Sequence, residues 1–163
     1  MKKHNAKYIT ETAVIAALYV VFTYLSSIFG LDKGVIQLRL SESLVALLAF
    51  TGAAVPGLTI GCLIANLLTG SVVIDIVVGP IATFIGAIVG RLIKKHTYAV
   101  LLPNIISNTV IIPFILKYAY GTEGALPFFF VTVGAGEVIS SGVFGAILIF
   151  WLKKYEKIIF RQI

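Results

Sequence analysis

The chain has 163 residues, of which 59% are hydrophobic and 12% charged, with a formal net charge of +6 and a mean hydropathy of +1.03. The charged share is about half that of a soluble domain, and the near-continuous apolar stretches leave too little polar surface for a fold in water. The basic residues fall between apolar runs instead of sharing one polar face, which argues against a nucleic-acid binder; the lone cysteine, Cys62, excludes an internal disulfide and reads as a small buried apolar residue.

A membrane-crossing helix takes about 20 residues, fewer where neighbours shield it. The first expected span covers residues 9–29. It follows the basic start Lys2-Lys3 as a secretory leader would, but its apolar part exceeds a leader's core and further spans follow, so it reads as a retained helix. Gly30 and Gly34, flanking Leu31, Asp32 and Lys33, end it. Segments 35–50 and 58–68 are separated by a break from Thr51 to Gly57 that contains Pro56; both are short and are expected to pack among neighbours instead of facing lipid. Span four, residues 75–93, precedes Lys94-Lys95-His96; span five covers 98–118 and span six 126–152. The expected fold is all-α: residues 1–163 as one polytopic membrane domain of six transmembrane helices.

Loops on the cytoplasmic side carry the excess of Lys and Arg. With six spans and an inner N-terminus, ten basic residues lie inside (Lys2, Lys3, Lys7, Arg91, Lys94, Lys95, Lys153, Lys154, Lys157, Arg161) against three outside (Lys33, Arg39, Lys117), so both termini are expected in the cytoplasm of a cell-membrane protein. The halves show no sequence repeat of the kind found in inverted-repeat transporters.

Each charge at membrane depth must be paired or face a cavity. Arg39 and Glu42, three residues apart, are expected to neighbour each other at the outer start of the second helix, either as an ion pair or at the mouth of an outward-facing pocket. Asp75 falls in a first helical turn, where it favours the helix dipole or serves a ligand. Glu137 lies about 16 Å below the outer end of its helix, at about 1.5 Å per residue, with no basic residue within a turn, so another helix or a ligand must meet it. Asn104 and Asn108 share a helix face with Ser107 beside them; together with Asn66 they either join helices or donate amides to a pocket. A pocket uniting Asn108, Glu137 and Asn66 suits a small, flat, nitrogen-rich ligand.

Three small-residue stripes, Ala13/Ala17, Gly57/Gly61 and Gly86/Gly90, permit close helix approach, within the bundle or, for the first, to another membrane subunit. The sequence lacks a phosphate-cradling glycine loop ending in Lys-Ser or Lys-Thr and a His-Glu-x-x-His motif, and His4 and His96 stand apart from other metal ligands, so neither an enzyme nor a bound cofactor is expected.

The chain resembles the substrate-binding S-components of energy-coupling factor transporters, and most closely the queuosine-precursor transporter family. The resemblance rests on Ala13-Val-Ile-Ala-Ala17 after a basic start, Gln37-Leu-Arg-Leu-Ser-Glu42, Ala53-Ala-Val-Pro-Gly57 through Gly61-Cys-Leu-Ile-Ala-Asn66-Leu-Leu, Asp75, Leu102-Pro-Asn104 with Asn108, and Gly136-Glu137. It implies an importer subunit working with one membrane coupling subunit and two ATP-hydrolysing subunits, docking through Ala13 and Ala17, and toppling to carry its pocket to the cytoplasm. The implied cargo is a 7-deazaguanine such as queuine or 7-aminomethyl-7-deazaguanine. Glu137 would accept two adjacent N–H groups of the base, Asn108 would read its carbonyl, and Asp75 or Glu42 would meet a cationic amine. Phe84, Phe114, Tyr118 and Phe128 are the candidate rings to cover the base. Two other readings remain: an S-component for another vitamin, and a structural membrane protein whose polar residues only join helices.

Overall fold

The computed structural model of the chain describes residues 2–31 and 36–160, with side chains from residue 5. Lys33 and Arg161, counted in the charge asymmetry, lie outside the described residues, as do Asp32, Gly34 and Val35 of the first turn region. Helix α1 (Lys2–Ile28) begins seven residues before the expected span. Its buried residues Ile15, Ala16, Tyr19, Thr23 and Ser26 recur at helical spacing on one face, while Val14, Leu18, Val21 and Leu25 point outward as a lipid-facing side chain would.

The second segment is the main departure from expectation. Gln37 to Arg39 is not helical, and the helix that follows, Leu40–Ala49, is a 3-10 helix, tighter than an α-helix and long for its kind. Ser41 through Leu48 are all buried, so this helix forms the centre of the bundle. Its N-terminal end is polar, with Ser41, Glu42 and Ser43, and its C-terminal end is the apolar run Leu44 to Leu48.

Helix α2 (Ala54–Leu68) starts four residues before its expected limit, and Pro56 fits because the first turn of a helix has no internal N–H bonds to lose. Helix α3 (Val73–Leu92) and α4 (Leu102–Tyr118), the latter preceded by a 3-10 turn at Ala99–Leu101, match spans four and five. Span six is one continuous rod made of α5 (Leu126–Glu137), a π-helical turn (Val138–Val143) and α6 (Phe144–Ile159). Among the described residues four helical stretches are long and apolar enough to cross a membrane, and the 3-10 helix and α2 are shorter apolar helices beside them.

Close approach explains the glycine stripes. A Cβ on Gly61 would sit 2.6 Å from Tyr19 Cβ, and one on Gly57 2.8 Å from Ile15, so this stripe seats α2 on α1; Gly86 and Gly90 seat α3 against Asn104 and Val100 in the same way. Ala13 and Ala17, by contrast, are exposed on the side of α1 turned away from the bundle.

One end of the bundle is basic. There Tyr8 donates to the Gly52 carbonyl, Thr51 donates to Glu11 (2.6 Å), Arg91 donates to the Leu48 carbonyl (2.8 Å), and Phe50 stacks on Phe160. Lys94, Lys95 and Lys153, the last placed over the Tyr98 ring, belong to the same end. The apolar core of Ile15, Leu44 to Leu48, Leu58, Val100 and Ile149 lies toward it. Polar buried groups collect toward the opposite end.

Candidate functional site

Glu42 is almost fully buried at the N-terminal end of the 3-10 helix, where Tyr19 of α1 donates to one carboxylate oxygen and Asn104 of α4 to the other (2.8 Å). The helix that carries Glu42 is held at the same level by side chains: Leu40 N–H donates to Ser26 (2.9 Å), Thr23 donates to Ser41 (3.0 Å), and Arg39 N–H donates to Ser140 of the π-turn (3.1 Å). The expected Arg39–Glu42 pair does not form; no ion pair joins them, because Arg39 is extended ahead of the helix (φ −114°, ψ 105°) and both Glu42 oxygens already have partners on other helices.

Glu137 closes α5 where the rod widens into the π-turn, a distortion that often marks functional sites. Asn108 of α4 donates to its Oε1 (3.0 Å), and its Oε2 is buried with no hydrogen-bond partner among the described residues. Gly136 beside it lets the Gln37 backbone come close: a Cβ there would lie 2.2 Å from the Gln37 carbonyl oxygen. The extended Gln37 to Arg39 segment is thereby laid against α5 in front of Glu137.

These groups line a narrow inner pocket of about 30 Å³, walled by Arg39, Glu42, Thr83, Asn108, Val133 and Glu137. Gln37, Arg39 and Ile112 also line a wider cavity of about 540 Å³, so they form the neck between the two. The wider cavity lies at the end opposite the basic one, among Tyr24, Asn66, Ser71, Asp75, Tyr120 and Thr122. Its volume falls within the range of small-molecule sites. In it Tyr120 donates to Asp75 Oδ2 (2.9 Å), and Asn66 donates to the Asp75 backbone carbonyl (3.0 Å). Burial above all, with the Asp75 charge beside it, holds the Tyr120 phenol above its ordinary range, so it remains a donor.

Of the residues singled out from sequence, Arg39, Glu42, Asn108 and Glu137 meet at the inner pocket, and Asn66 and Asp75 meet in the wider cavity. Asn104 lines neither; it carries Glu42, while Ser107 donates to the Ala82 carbonyl (2.7 Å), so both join helices. The four candidate covering rings, Phe84, Phe114, Tyr118 and Phe128, are all exposed and none lines the polar cavity; Phe114 and Tyr118 instead edge an apolar groove between α3 and α4. The cavity's rings are Tyr24 and Tyr120, with Tyr19 below under Glu42. Sequence reasoning missed these three and Gln37. The available signal for Tyr19 was its place on the Thr23 and Ser26 face, a polar stripe on an apolar helix.

A helical membrane bundle that gathers carboxylates and amides around a cavity open at one end has the build of a small-molecule transporter. The chain belongs to the QueT transporter family, whose model matches residues 9–154. Over 93 residues it is 36% identical to the queuosine precursor transporter QueT of Lactococcus lactis subsp. cremoris (strain MG1363), a match covering 57% of this chain and 54% of that relative. The chain thus spans about half the length of the curated relative it matches. No solved structure matches it significantly.

Proposed function

We propose that this multi-pass membrane protein is the substrate-capturing subunit of an energy-coupling factor importer and takes up a queuosine precursor, a 7-deazaguanine base. The observation that carries the reading is the buried, unpartnered Oε2 of Glu137 in a pocket shared with Asn108, Glu42 and Arg39. A guanine-like edge presents two adjacent N–H donors, which a carboxylate accepts together, and a ring carbonyl, which a guanidinium or amide donor meets. Asn108, which has a second amide N–H beyond the one on Glu137, and Arg39 in the neck are the donors placed to meet the carbonyl. The inner pocket admits only an edge of such a base, and the wider cavity receives the rest. The relative's printed name, a queuosine precursor transporter, supports the same cargo.

The basic end is assigned to the cytoplasm, with both termini, and the cavity mouth to the outside, by the excess of Lys and Arg. The coupling subunit, which works with two ATP-hydrolysing subunits, docks through Ala13 and Ala17, whose exposure on a smooth face of α1 favours close approach of another membrane helix. The exposure of that stripe, together with a cavity that helix-joining residues alone do not require, favours this reading over a purely structural membrane protein.

The test is equilibrium binding of queuine and 7-aminomethyl-7-deazaguanine to the detergent-purified chain, with guanine, riboflavin and thiamine as controls. Saturable binding confined to deazaguanines is expected; folded protein that binds none of them removes the cargo. Glu137→Gln is expected to weaken binding roughly 10- to 100-fold, since a hydrogen bond to a charged group contributes about 1.5–3 kcal/mol. Unchanged affinity in that variant would remove Glu137 from the site.

A further inference from the structure

Three carboxyl groups and one guanidinium border the joined cavities, and the three carboxyl groups are not equivalent. Glu42 has a donor on each oxygen, from Tyr19 and Asn104. Glu137 faces the inner pocket with Asn108 on one oxygen. Asp75 stands in the wide cavity with Tyr120 on Oδ2, and the Asn66 amide is spent on its backbone, not its carboxylate. Its Oδ1 turns toward Gly79: a Cβ at that position would lie 3.1 Å from Asp75 Oδ1 and 2.9 Å from the Asn66 amide nitrogen. Gly79 is also part of the inner-pocket wall. The absence of a side chain there leaves the Asp75 carboxylate beside the inner-pocket wall, one helical turn from Gly79 along α3.

We infer that Asp75 is the residue that selects among ligands by the charge of the substituent projecting from the base, favouring a cationic amine over a neutral group. The inference rests on the capture reading above. A base whose N–H edge meets Glu137 leaves its opposite side facing the neck and the wide cavity, where Asp75 presents an acceptor to an ammonium. Arg39, in the neck, opposes a cation, and Asp75 lines the same wide cavity. In the wide cavity the balance hangs on Asp75: it and Arg39 are the charged side chains in that lining, and without it the guanidinium alone faces the substituent there. Of the two acids open to this role from sequence, Glu42 already holds a helix donor on each oxygen and lines only the inner pocket, whereas Asp75 lines the wide cavity.

The experiment compares binding of 7-aminomethyl-7-deazaguanine with that of its neutral counterpart 7-methyl-7-deazaguanine, in the full chain and in Asp75→Asn and Tyr120→Phe. Asn keeps the size of the side chain and an acceptor for Tyr120. The unaltered chain is expected to prefer the cationic base by about tenfold or more, and Asp75→Asn to bring the ratio to within about twofold of unity while the neutral base binds as before. Tyr120→Phe, which leaves the carboxylate and removes its protein donor, keeps or increases the preference. The inference is overturned by equal binding of the two bases to the unaltered chain, by a ratio that survives Asp75→Asn, by an equal loss for both bases in that variant, or by a ratio lost in Tyr120→Phe. In each of those outcomes deazaguanine capture itself stands. Failure of both bases to bind the folded, unaltered chain overturns capture and inference together.

Discussion

At the residue scale, the site rests on groups that hold one another rather than on isolated charges. Glu42 illustrates this: a carboxylate 2% exposed in the bundle is tolerable because a phenol and an amide from two other helices satisfy it. Tyr19→Phe removes one of those donors without changing the packing of the ring. It is expected to lower stability by about 1–3 kcal/mol, the penalty for leaving a buried acceptor short of a partner. Thermal unfolding in detergent checks this, and an unchanged midpoint would show that Glu42 does not depend on Tyr19. The same network marks where sequence reading succeeds and fails. Glu137 was legible from its depth and the lack of a nearby base, and Asn108 from its shared face with Asn104. The partners of Glu42 were not, because they lie 23 and 62 residues away, and chain distance carries no information about which helices touch. A tyrosine in an apolar helix also reads as packing until its hydroxyl is given a partner, which hid Tyr19 and Tyr24.

At the element scale, helix seating and site geometry are coupled through α1. One face of α1 carries Tyr19 beneath Glu42, and the same face is where Gly57 and Gly61 of α2 make contact. Gly61→Ala places a methyl 2.6 Å from Tyr19 Cβ and 3.1 Å from Ala16 Cα, so the helices must part. Overpacking of this kind costs about 1–3 kcal/mol, and here it also displaces the donor of Glu42. Gly61→Ala is therefore expected to lower both thermal stability and ligand affinity. Ala17→Leu, on the opposite exposed face, is expected to leave both unchanged and to reduce co-purification with the coupling subunit. Loss of stability in Ala17→Leu would place that face inside the bundle; retained co-purification would remove it from the docking surface. The four long segments and α2 were legible because apolar runs bounded by Gly, Pro and basic residues fix helices by composition alone. The 3-10 form of Leu40–Ala49 and the π-turn at Val138–Val143 were not, since both are departures of fewer than one residue per turn from the α-helical period, imposed by the neighbours each segment must reach.

At the scale of the whole molecule, the two ends differ in a way that fixes how a capture protein can work. Described basic side chains gather at the end holding the Thr51-Gly52 turn and the loop after α3, while the cavity opens at the other, beside the loop that carries Tyr120. If the basic end faces the cytoplasm, the chain can take a ligand only from outside in this conformation, and delivery requires the bundle to move as a body or the cavity to reopen elsewhere. The protein offers a clean way to test the assignment, because its one cysteine, Cys62, is buried. Thr122→Cys, exposed in the loop between α4 and α5, and Lys95→Cys, exposed after α3, report the two ends separately. In intact cells a membrane-impermeant maleimide is expected to label Thr122→Cys and spare Lys95→Cys, which becomes reactive only after permeabilisation, while the unaltered chain stays unlabelled throughout. Labelling of Lys95→Cys in intact cells, with Thr122→Cys protected, would invert the bundle. The carboxylate-lined cavity would then open to the cytoplasm, and the arrangement of Glu137, Arg39 and Asp75 would serve release or export instead of capture.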